Sequence, residues 1–365
     1  MHDVAQLAQS LVRVGSINPG LDPAGSGEGA VAQLVADWCE EAGLEVAVEE
    51  VAPGRHNVVA RARGSGGGRT LLLNGHLDTV GVAGMSDPFS GLIDGDRLYG
   101  RGAYDMKGAV AACLVACEAA ARLALRGDVV VTAVADEEVA SIGTEAVAAA
   151  IPAAAAIVAE PTEEKLGIAH RGFAGFKIRV AGRAAHGSMP ALGIDAITHA
   201  GPILTRLGEL DERLRASSPH ALVGTGSAHA SLISGGQEYS SYPAFCEIEG
   251  ERRTIPGETD ADVEREVAEL VGDVDASWSL TVTRGPFEVA GDEEIVELVA
   301  HHAADPDRIG LPFWTDAALL GAAGIPCVLF GPCGEGAHAE VEWVSIASLG
   351  RCVGTYLAVA ADLCA

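Results

Sequence analysis

Four apolar segments of this chain end in His, Asp or Glu, and this pattern restricts the fold more than any other feature of the sequence. The segments are RTLLLNGHLDTV, VVVTAVADEEVAS, AAAIVAEPTE and CVLFGPCGEGAHAE. Strands that are apolar throughout are typical of parallel sheets covered on both faces, and such sheets bind ligands at their carboxyl ends. The pattern predicts an α/β fold with a largely parallel sheet.

The polar side chains at these strand ends indicate a metal site. They are His76, Asp78, Asp136, Glu137, Glu138, Glu160 and His338. Burial of so many carboxylates and imidazoles without a counter-charge is very unfavourable, so we expect a cation among them. Any one of these residues alone is more often a cap, a turn former or a surface charge. Four strand ends of the same kind favour a shared site.

The chain is long enough for two domains, because 365 residues exceed the roughly 150 that are usual for one domain. Strands and helices alternate in the first part of the chain, which predicts a βαβ core. From about residue 172 the order becomes βα-ββ-αβ, which is typical of a ferredoxin-like α+β sandwich. We therefore predict a catalytic domain of residues 1–171 and 285–365, interrupted by an inserted domain of residues 172–284.

Charge and hydropathy exclude several classes of partner. The sequence has 24 Lys and Arg against 51 Asp and Glu, a formal charge of −27. This balance argues against nucleic acid, which proteins bind through clusters of Lys and Arg. Gly or charged residues interrupt the apolar runs well short of the ~20 residues that span a membrane, and the amino terminus does not resemble a signal peptide. We expect a cytoplasmic protein that binds neither nucleic acid nor membranes.

A further acidic residue completes two possible sets of metal ligands. Asp105 lies in the Gly-flanked segment GRGAYDMKG just before a predicted helix, where a carboxylate can bridge two cations. One set is then His76, Asp105 and Glu160, and the other is Asp105, Glu138 and His338. Three mixed nitrogen and oxygen ligands leave a position for water, as in hydrolytic zinc sites. The same ligands accept cobalt or manganese, so we expect two divalent ions, with zinc favoured.

Two further carboxylates have the spacing needed to assist hydrolysis. His76 and Asp78 are two residues apart at a strand end, so one side chain can bind a metal while the other orients that ligand. Glu137 and Glu138 are adjacent, which lets one bind metal while its neighbour faces the water between the metals. Such an arrangement suits general acid and base catalysis. The residues predict an enzyme that hydrolyses its substrate with metal-activated water.

These motifs resemble those of the M20 metallopeptidase family, the group that contains acetylornithine deacetylase, succinyl-diaminopimelate desuccinylase, aminoacylase-1 and glutamate carboxypeptidases. NGHLDTV, GRGAYDMKG, DEE, AEPT and GAHAE match its five metal and catalytic blocks in order, across nearly the full chain. The resemblance implies that Asp78 orients a metal-binding histidine, that Glu137 is the general base and that Asp105 bridges two metals. It implies five metal ligands: His76, Asp105, Glu138, Glu160 and His338.

The inserted segment resembles the lid and dimerisation domain of the same family. GRAAHGSMP matches the segment whose histidine, here His186, reaches the active site of a partner subunit and polarises the scissile carbonyl. ERRTIPGE matches a motif whose arginine, here Arg253, holds a substrate carboxylate, a task that suits a planar guanidinium. The resemblance thus implies a homodimer. Without it, His186 is expected to be structural, and a surface ion pair is the alternative for Arg252. The chain departs from the family at GGQEYSSYP, where Ser240 and Ser241 lie in the region of a common Asn.

The resemblance implies a two-metal amidohydrolase that removes a small acyl group from an amino acid with a free carboxylate. FWTDAALLGAAGIP, GPCGEGAHAE and ERRTIPGE are most similar to acetylornithine deacetylase-like members. A dipeptidase, a carboxypeptidase or a succinyl-diaminopimelate desuccinylase on the same scaffold is the alternative. A metal-binding protein without catalysis is the alternative from another class. Asp316 is expected either to support the site or to cap the helix that it precedes.

Overall fold

The computed structural model describes residues 2–365, which form two compact units. Unit 1 contains the chain up to Ile168 together with Val289–Ile309 and Thr315–Ala365. Unit 2 contains Ala169–Glu288 and Gly310–Trp314. Unit 2 therefore interrupts unit 1 along the chain.

The helices follow from the apolar periodicity of the sequence, with α5 and α6 in unit 2 and the others in unit 1. Their bounds are α1 (Val4–Val12), α2 (Gly29–Glu41), α3 (Gly108–Ala120), α4 (Ile142–Ala150), α5 (Ala196–Arg215), α6 (Asp260–Val271), α7 (Glu294–His302), α8 (Ala317–Ala322) and α9 (Ile346–Leu363). A short irregular helical turn, Ala103–Lys107, precedes α3. Helix α3 is apolar on nearly all sides and is buried along its whole length, as expected of a core helix.

Among residues 2–365, the strands form three sheets. Their bounds are β1 (Glu45–Ala52), β2 (Arg55–Ala62), β3 (Leu71–His76), β4 (Leu92–Asp94), β5 (Arg97–Tyr99), β6 (Val129–Val134), β7 (Ala155–Val158), β8 (Leu166–His170), β9 (Gly172–Ala181), β10 (Ser227–Gly235), β11 (Phe245–Thr254), β12 (Ala276–Arg284), β13 (Phe287–Glu288), β14 (Arg308–Leu311), β15 (Cys327–Leu329), β16 (Gly334–Glu335) and β17 (Trp343–Ser345). A small sheet in unit 1 has the order β16-β17-β5-β4.

The main sheet of unit 1 is parallel at its centre and antiparallel towards its edges. Its strands lie in the order β1-β2-β6-β3-β7-β15-β8. The neighbours β6, β3, β7 and β15 are parallel and fully buried, whereas β1, β2 and β8 pair antiparallel. This confirms the predicted α/β class and limits the parallel part to the four apolar strands. The carboxyl ends of these four strands lie at one edge of the sheet.

Unit 2 is a ferredoxin-like sandwich, as the sequence predicts. Its elements follow the order β9, α5, β10, β11, α6 and β12, and its antiparallel sheet has the order β10-β11-β9-β12. Apolar side chains from both helices and the sheet form its core. The segment Gly310–Trp314, which the predicted bounds place in the catalytic domain, lies in unit 2, where the indole Nε1 of Trp314 donates to the Gly285 carbonyl at 3.0 Å.

Among the described residues, one helix is long and apolar enough to cross a membrane by length and composition alone. This helix is α9, with a mean hydropathy of 1.2. Half of it is buried inside the structure, where it packs against α3. Gly350, Arg351 and Gly354 interrupt its apolar run, so the sequence alone does not indicate a membrane span here. Core helices have the same length and composition, so α9 is weak evidence for a membrane span.

Candidate metal centre

His76 is the last residue of β3, and its imidazole is buried with 1% exposure. Its Nδ1 lies 2.9 Å from the backbone carbonyl oxygen of Asp78. Because a carbonyl oxygen only accepts, this contact requires the proton on Nδ1. Nε2 faces Asp105, and once it gives up its own proton its lone pair can bind a cation, in the arrangement usual for metal-binding histidines.

The carboxylate of Asp78 anchors the loop that carries Glu137 and Glu138. Its oxygens accept from the backbone nitrogens of both residues, each at 3.1 Å, and from Asn18 Nδ2 at 2.7 Å. The distance from Asp78 Oδ1 to His76 Nδ1 is longer, 3.7 Å. Asp78 thus contacts the imidazole most closely through its backbone and the acidic loop through its side chain.

Asp105 directs one carboxylate oxygen to each of two histidines. Oδ1 lies 3.1 Å from His76 Nε2, and Oδ2 lies 3.3 Å from His338 Nε2. Burial raises the pKa of Asp105, but hydrogen bonds from His338 and His76 outweigh it and hold the pKa well below its usual range. This carboxylate is therefore ionised and faces both ligand groups.

The structure brings all five predicted metal ligands together in two groups. One contains His76, Asp105 and Glu160, the other contains Asp105, Glu138 and His338, and the ligand atoms of each group lie within 4.8 Å of one another. The distance from His76 Nε2 to Glu160 Oε1 is 3.9 Å, and that from His338 Nε2 to Glu138 Oε2 is 3.1 Å. The groups share Asp105, as the donor count from the sequence predicts.

Glu137 lies beside the two groups. Its Oε2 is 3.9 Å from His76 Nε2, and only 11% of its side chain is exposed. Burial raises the pKa of Glu137 well above its usual value, and the charge of Glu160 raises it further. A carboxyl group with a raised pKa in a buried site is a candidate for general acid and base catalysis.

The donor set fits divalent cations. Four carboxylates face two imidazoles here, and burial raises the pKa of Glu160 well above its usual value. Glu138 Oε1 is buried and has no hydrogen-bond partner among residues 2–365. An unsatisfied buried oxygen of this kind costs about 1–3 kcal/mol. A bound cation would satisfy it, and mixed nitrogen and oxygen donors suit zinc, cobalt or manganese.

His338 differs from the other ligands because it lies on a loop between β16 and β17. Its backbone is left-handed, with φ of 62°, and 55% of its side chain is exposed. Hydrogen bonds with Asp105 and Glu138 raise the pKa of His338 to about 10. Without a metal, the imidazole is therefore protonated at neutral pH and acts as a counter-ion for the two carboxylates.

Asp316 is a buried carboxylate of unit 1 whose side chain does not cap helix α8. Its Oδ2 accepts from Thr144 Oγ1 at 2.6 Å, whereas Thr315 Oγ1 accepts from the backbone nitrogen of Ala317 at 3.2 Å. Burial raises the pKa of Asp316 to about 6. Of the two roles considered for Asp316, the structure excludes side-chain capping.

Asn18 is a buried residue at the site that the sequence analysis missed. Its Nδ2 donates to Asp78 and, at 3.0 Å, to Asp136 Oδ1. Its sequence context, SINPG, indicates a turn and carries no sign of a contact with residues 60 and 118 positions away.

His186 lies in unit 2 and is exposed. The backbone nitrogen of Ser188 donates to His186 Nδ1 at 3.2 Å, and Ser188 Oγ lies 2.8 Å from the same atom. Because Nδ1 accepts from an amide, the proton of the neutral ring is on Nε2. His186 pairs with Ser241 through an isolated antiparallel bridge.

The two arginines of ERRTIPGE lie in different surroundings within unit 2. Arg252 is 2% exposed and pairs with Glu258 at 2.7 Å and Glu266 at 2.8 Å, which is a structural role. Arg253 is half-buried and pairs with Glu251 through two contacts of 2.5 and 3.2 Å. Its guanidinium carbon lies 5.4 Å from the ring centre of Phe173.

Comparison with known proteins confirms the resemblance seen in the motifs. The sequence model of peptidase family M20/M25/M40 matches residues 72–362. An acetylornithine deacetylase of Proteus mirabilis is 30% identical over 335 residues, which cover 87% of this chain and 86% of that protein.

Solved structures of this family share the fold. A metallo-carboxypeptidase of family M20 from Sulfolobus solfataricus has a TM-score of 0.80 at 16% identity, covering 98% of both chains. The YXEP protein of Bacillus subtilis, described as a dinuclear metal binding peptidase from family M20, has a TM-score of 0.75 at 16% identity, covering 99% of this chain and 97% of that one. These likenesses show the fold, and the sequence match extends over most of the chain. The chain belongs to peptidase family M20/M25/M40.

Proposed function

We propose that this protein is a two-metal amidohydrolase that removes a small acyl group from an N-acyl amino acid with a free carboxylate. The observation that carries the proposal is Asp105, whose two oxygens face the imidazoles of His76 and His338 within two ligand groups. The name of the Proteus mirabilis relative supports an acyl amino acid as the substrate.

The five clustered side chains would hold two divalent ions, zinc being favoured over cobalt and manganese. His76, Asp105 and Glu160 would bind one, and Asp105, Glu138 and His338 the other. The name of the Bacillus subtilis neighbour supports two metals. Such ions, when bound, act as Lewis acids that polarise a carbonyl and lower the pKa of water.

Glu137 would be the general base. Its carboxylate takes a proton from the attacking water and then gives it to the nitrogen of the leaving amine. Burial and the neighbouring Glu160 raise the pKa of Glu137, which strengthens it as a proton acceptor. Asp78 would keep Glu137 in place through the hydrogen bond from the Glu137 backbone nitrogen, while its carbonyl orients His76.

Unit 2 would supply the groups that bind the rest of the substrate. The proton on Nε2 of His186 is suited to donate to the oxygen of the scissile carbonyl. Arg253 would hold the substrate carboxylate with its planar guanidinium, exchanging the carboxylate of Glu251 for that of the substrate.

We also propose that the protein is a homodimer, in which unit 2 is the lid and dimerisation domain and His186 acts in the site of the partner subunit. Strand β10 lies at one edge of the sheet of unit 2. Leu232 and Ile233 on this strand are 64% and 55% exposed. An apolar edge strand of this kind is suited to pair with another chain.

The deciding experiment is a substrate panel combined with Glu137→Gln. Wild-type protein loaded with zinc, cobalt or manganese is assayed on N-acetyl, N-succinyl, N-formyl and N-carbamoyl amino acids and on dipeptides. We expect hydrolysis of N-acetyl amino acids and, for Glu137→Gln, a fall in kcat of about 100- to 10,000-fold with unchanged metal content.

Each other result selects an alternative. A preference for dipeptides favours a peptidase, and one for N-succinyl compounds favours a desuccinylase. Full metal binding without hydrolysis of any compound favours a non-catalytic metal-binding protein. Unchanged hydrolysis in Glu137→Gln excludes this residue as the base.

A further inference from the structure

The carboxylate of Glu342 connects the chain segment of His338 to the loop that carries Asp105. Glu342 is 1% exposed, and its Oε2 accepts from Arg101 Nη1 at 2.6 Å and from the backbone nitrogen of Gly102 at 3.1 Å. Its Oε1 accepts from two more backbone nitrogens, those of Tyr104 at 2.9 Å and Asp105 at 3.1 Å. Four donors of the Asp105 loop thus converge on one side chain that follows His338 by four residues.

Arg101 makes the reciprocal connection from the Asp105 loop to the His338 segment. It is 2% exposed, and its Nη2 donates to the carbonyl of Ala339, the residue after His338, at 3.0 Å. Its Nε donates to the carbonyl of Gly81, beyond the end of β3, at 3.1 Å. All three guanidinium nitrogens are used, so Arg101 ties together three segments of unit 1.

This double connection leaves the metal-facing atoms free. Glu342 contacts Asp105 only through the backbone nitrogen, while both carboxylate oxygens of Asp105 face the histidines. Arg101 likewise contacts the backbone beside His338 and leaves the imidazole to face Glu138 and Asp105. The pair holds the backbones of two ligands without competing for a cation.

The Asp105 and His338 segments depend on such side-chain contacts because they have little regular structure. The turn Ala103–Lys107 is irregular at Asp105 itself, and His338 lies in a loop with a left-handed backbone. Breaking a buried ion pair leaves an uncompensated charge, so loss of either partner would release both segments together.

We propose that Arg101 and Glu342 are positioning residues that set the spacing between Asp105 and His338, and thereby the affinity of the group formed by Asp105, Glu138 and His338 for its cation. This proposal rests on the proposed two-metal function. The group of His76 and Glu160 is held by strand ends, so its cation should depend less on the pair.

The test measures zinc binding by the full-length protein after removal of metal with a chelator. The variants are Glu342→Gln, which places an amide against four donors, and Arg101→Lys, which keeps the charge but loses the three-way fork. Loss of a residue that orients metal ligands typically lowers metal affinity about 10- to 100-fold. We expect this loss for one of the two zinc ions and a smaller loss for the other, because the second group shares Asp105 but keeps His76 and Glu160 at strand ends.

The matched control is Glu266→Gln, which breaks another buried pair, that of Glu266 with Arg252 in unit 2. It should lower stability without changing either zinc affinity. Cobalt titration gives a second readout, because the absorption spectrum of the second cobalt equivalent should change in Glu342→Gln and Arg101→Lys but not in the control.

Two outcomes overturn the proposal: wild-type affinity for both ions in Glu342→Gln and Arg101→Lys, or equal losses in these variants and in Glu266→Gln. If Glu342→Gln does not fold, the charge-conserving variant Arg101→Lys decides. The proposed function fails separately, if wild-type protein binds two ions but hydrolyses no compound of the panel. Wild-type protein that binds fewer than two ions overturns both proposals.

Discussion

The two candidate ligand groups share Asp105 but are built in different ways. His76 ends β3, and Glu160 lies two residues beyond β7, the parallel neighbour of β3. Both side chains are almost completely buried, at 1% and 6% exposure. His338 instead lies on a loop, with 55% of its side chain exposed. One group is positioned by the sheet, and the other depends on side chains that hold a loop.

Because of this difference, we expect the two ligand groups to respond differently to substitutions of nearby side chains. Many backbone hydrogen bonds of the sheet fix the distance between neighbouring strand ends, so no single side chain determines the positions of His76 and Glu160. The position of His338 depends on the few contacts made by Arg101 and Glu342. We therefore expect the sheet-positioned group to bind its cation more tightly.

The largest effect should come from Asp105→Asn, because this residue belongs to both groups. Loss of the shared negative charge should lower both zinc affinities by more than the ~100-fold seen for residues that merely orient ligands. Elemental analysis and calorimetric titration measure the loss, with Glu45→Gln in an exposed ion pair as the control. A variant that keeps one ion at wild-type affinity would show that Asp105 does not bridge.

The histidines should differ in their effect on the metal-free protein. His76→Asn leaves buried Asp105, Glu137 and Glu160 without their nearest imidazole, so the free energy of unfolding should fall by about 3 kcal/mol. His338→Asn removes a half-exposed partner and should cost about 1 kcal/mol or less. Urea denaturation with a chelator present measures both. Equal losses would remove the distinction between the two groups.

Asn18→Ala removes one of the hydrogen bonds that hold the carboxylate of Asp78, just beyond the end of β3. The side chain donates to Asp78, but Asp78 also accepts from the backbone of Glu137 and Glu138. Because these two donors remain, we expect only about a tenfold fall in kcat, the low end for such residues, and two bound zinc ions. Loss of zinc, or no fall in kcat, would contradict this assignment.

The sequence predicts the site residues that follow strand ends better than the side chains that hold the loops in place. Continuous apolar runs reveal buried parallel strands, and the residues that follow such strands must meet at one edge of the sheet. His76, Glu137, Glu138 and Glu160 follow this rule, and the structure brings them together. The inserted sandwich was predictable for the same reason, since its alternating strands and amphipathic helices have a clear period.

The side chains that hold the site in place cannot be predicted from the sequence, because their contacts join distant parts of the chain and leave no local sequence pattern. Arg101 and Glu342 are 241 residues apart, and nothing in the sequence around either residue indicates that they form a pair. Asp316 shows the same limit, since its position before α8 suggested a cap and only the tertiary contact with Thr144 shows otherwise. Gly310–Trp314 lies in unit 2, where Trp314 contacts Gly285, 29 residues earlier in the chain.

The smallest expected effect is the pH dependence of the stability that His338 contributes to the metal-free protein. Asp105 and Glu138 raise the pKa of His338 from 6.5 to about 10 in the folded state. A raised pKa means that the folded state binds the proton more tightly than the unfolded state. The resulting stabilisation is complete below pH 6.5 and is lost as the pH rises to about 10.

The difference in unfolding free energy between wild-type and His338→Asn, measured with a chelator at several pH values from 6.5 to 10, should therefore shrink as the pH rises. Solvent screening at a half-exposed side chain limits the change to about 1 kcal/mol. Bound zinc should abolish this dependence, because a metal-binding imidazole carries no proton on the coordinating nitrogen. A difference that grows with pH would mean that His338 is neutral in the metal-free protein and that its loop is held by other contacts alone.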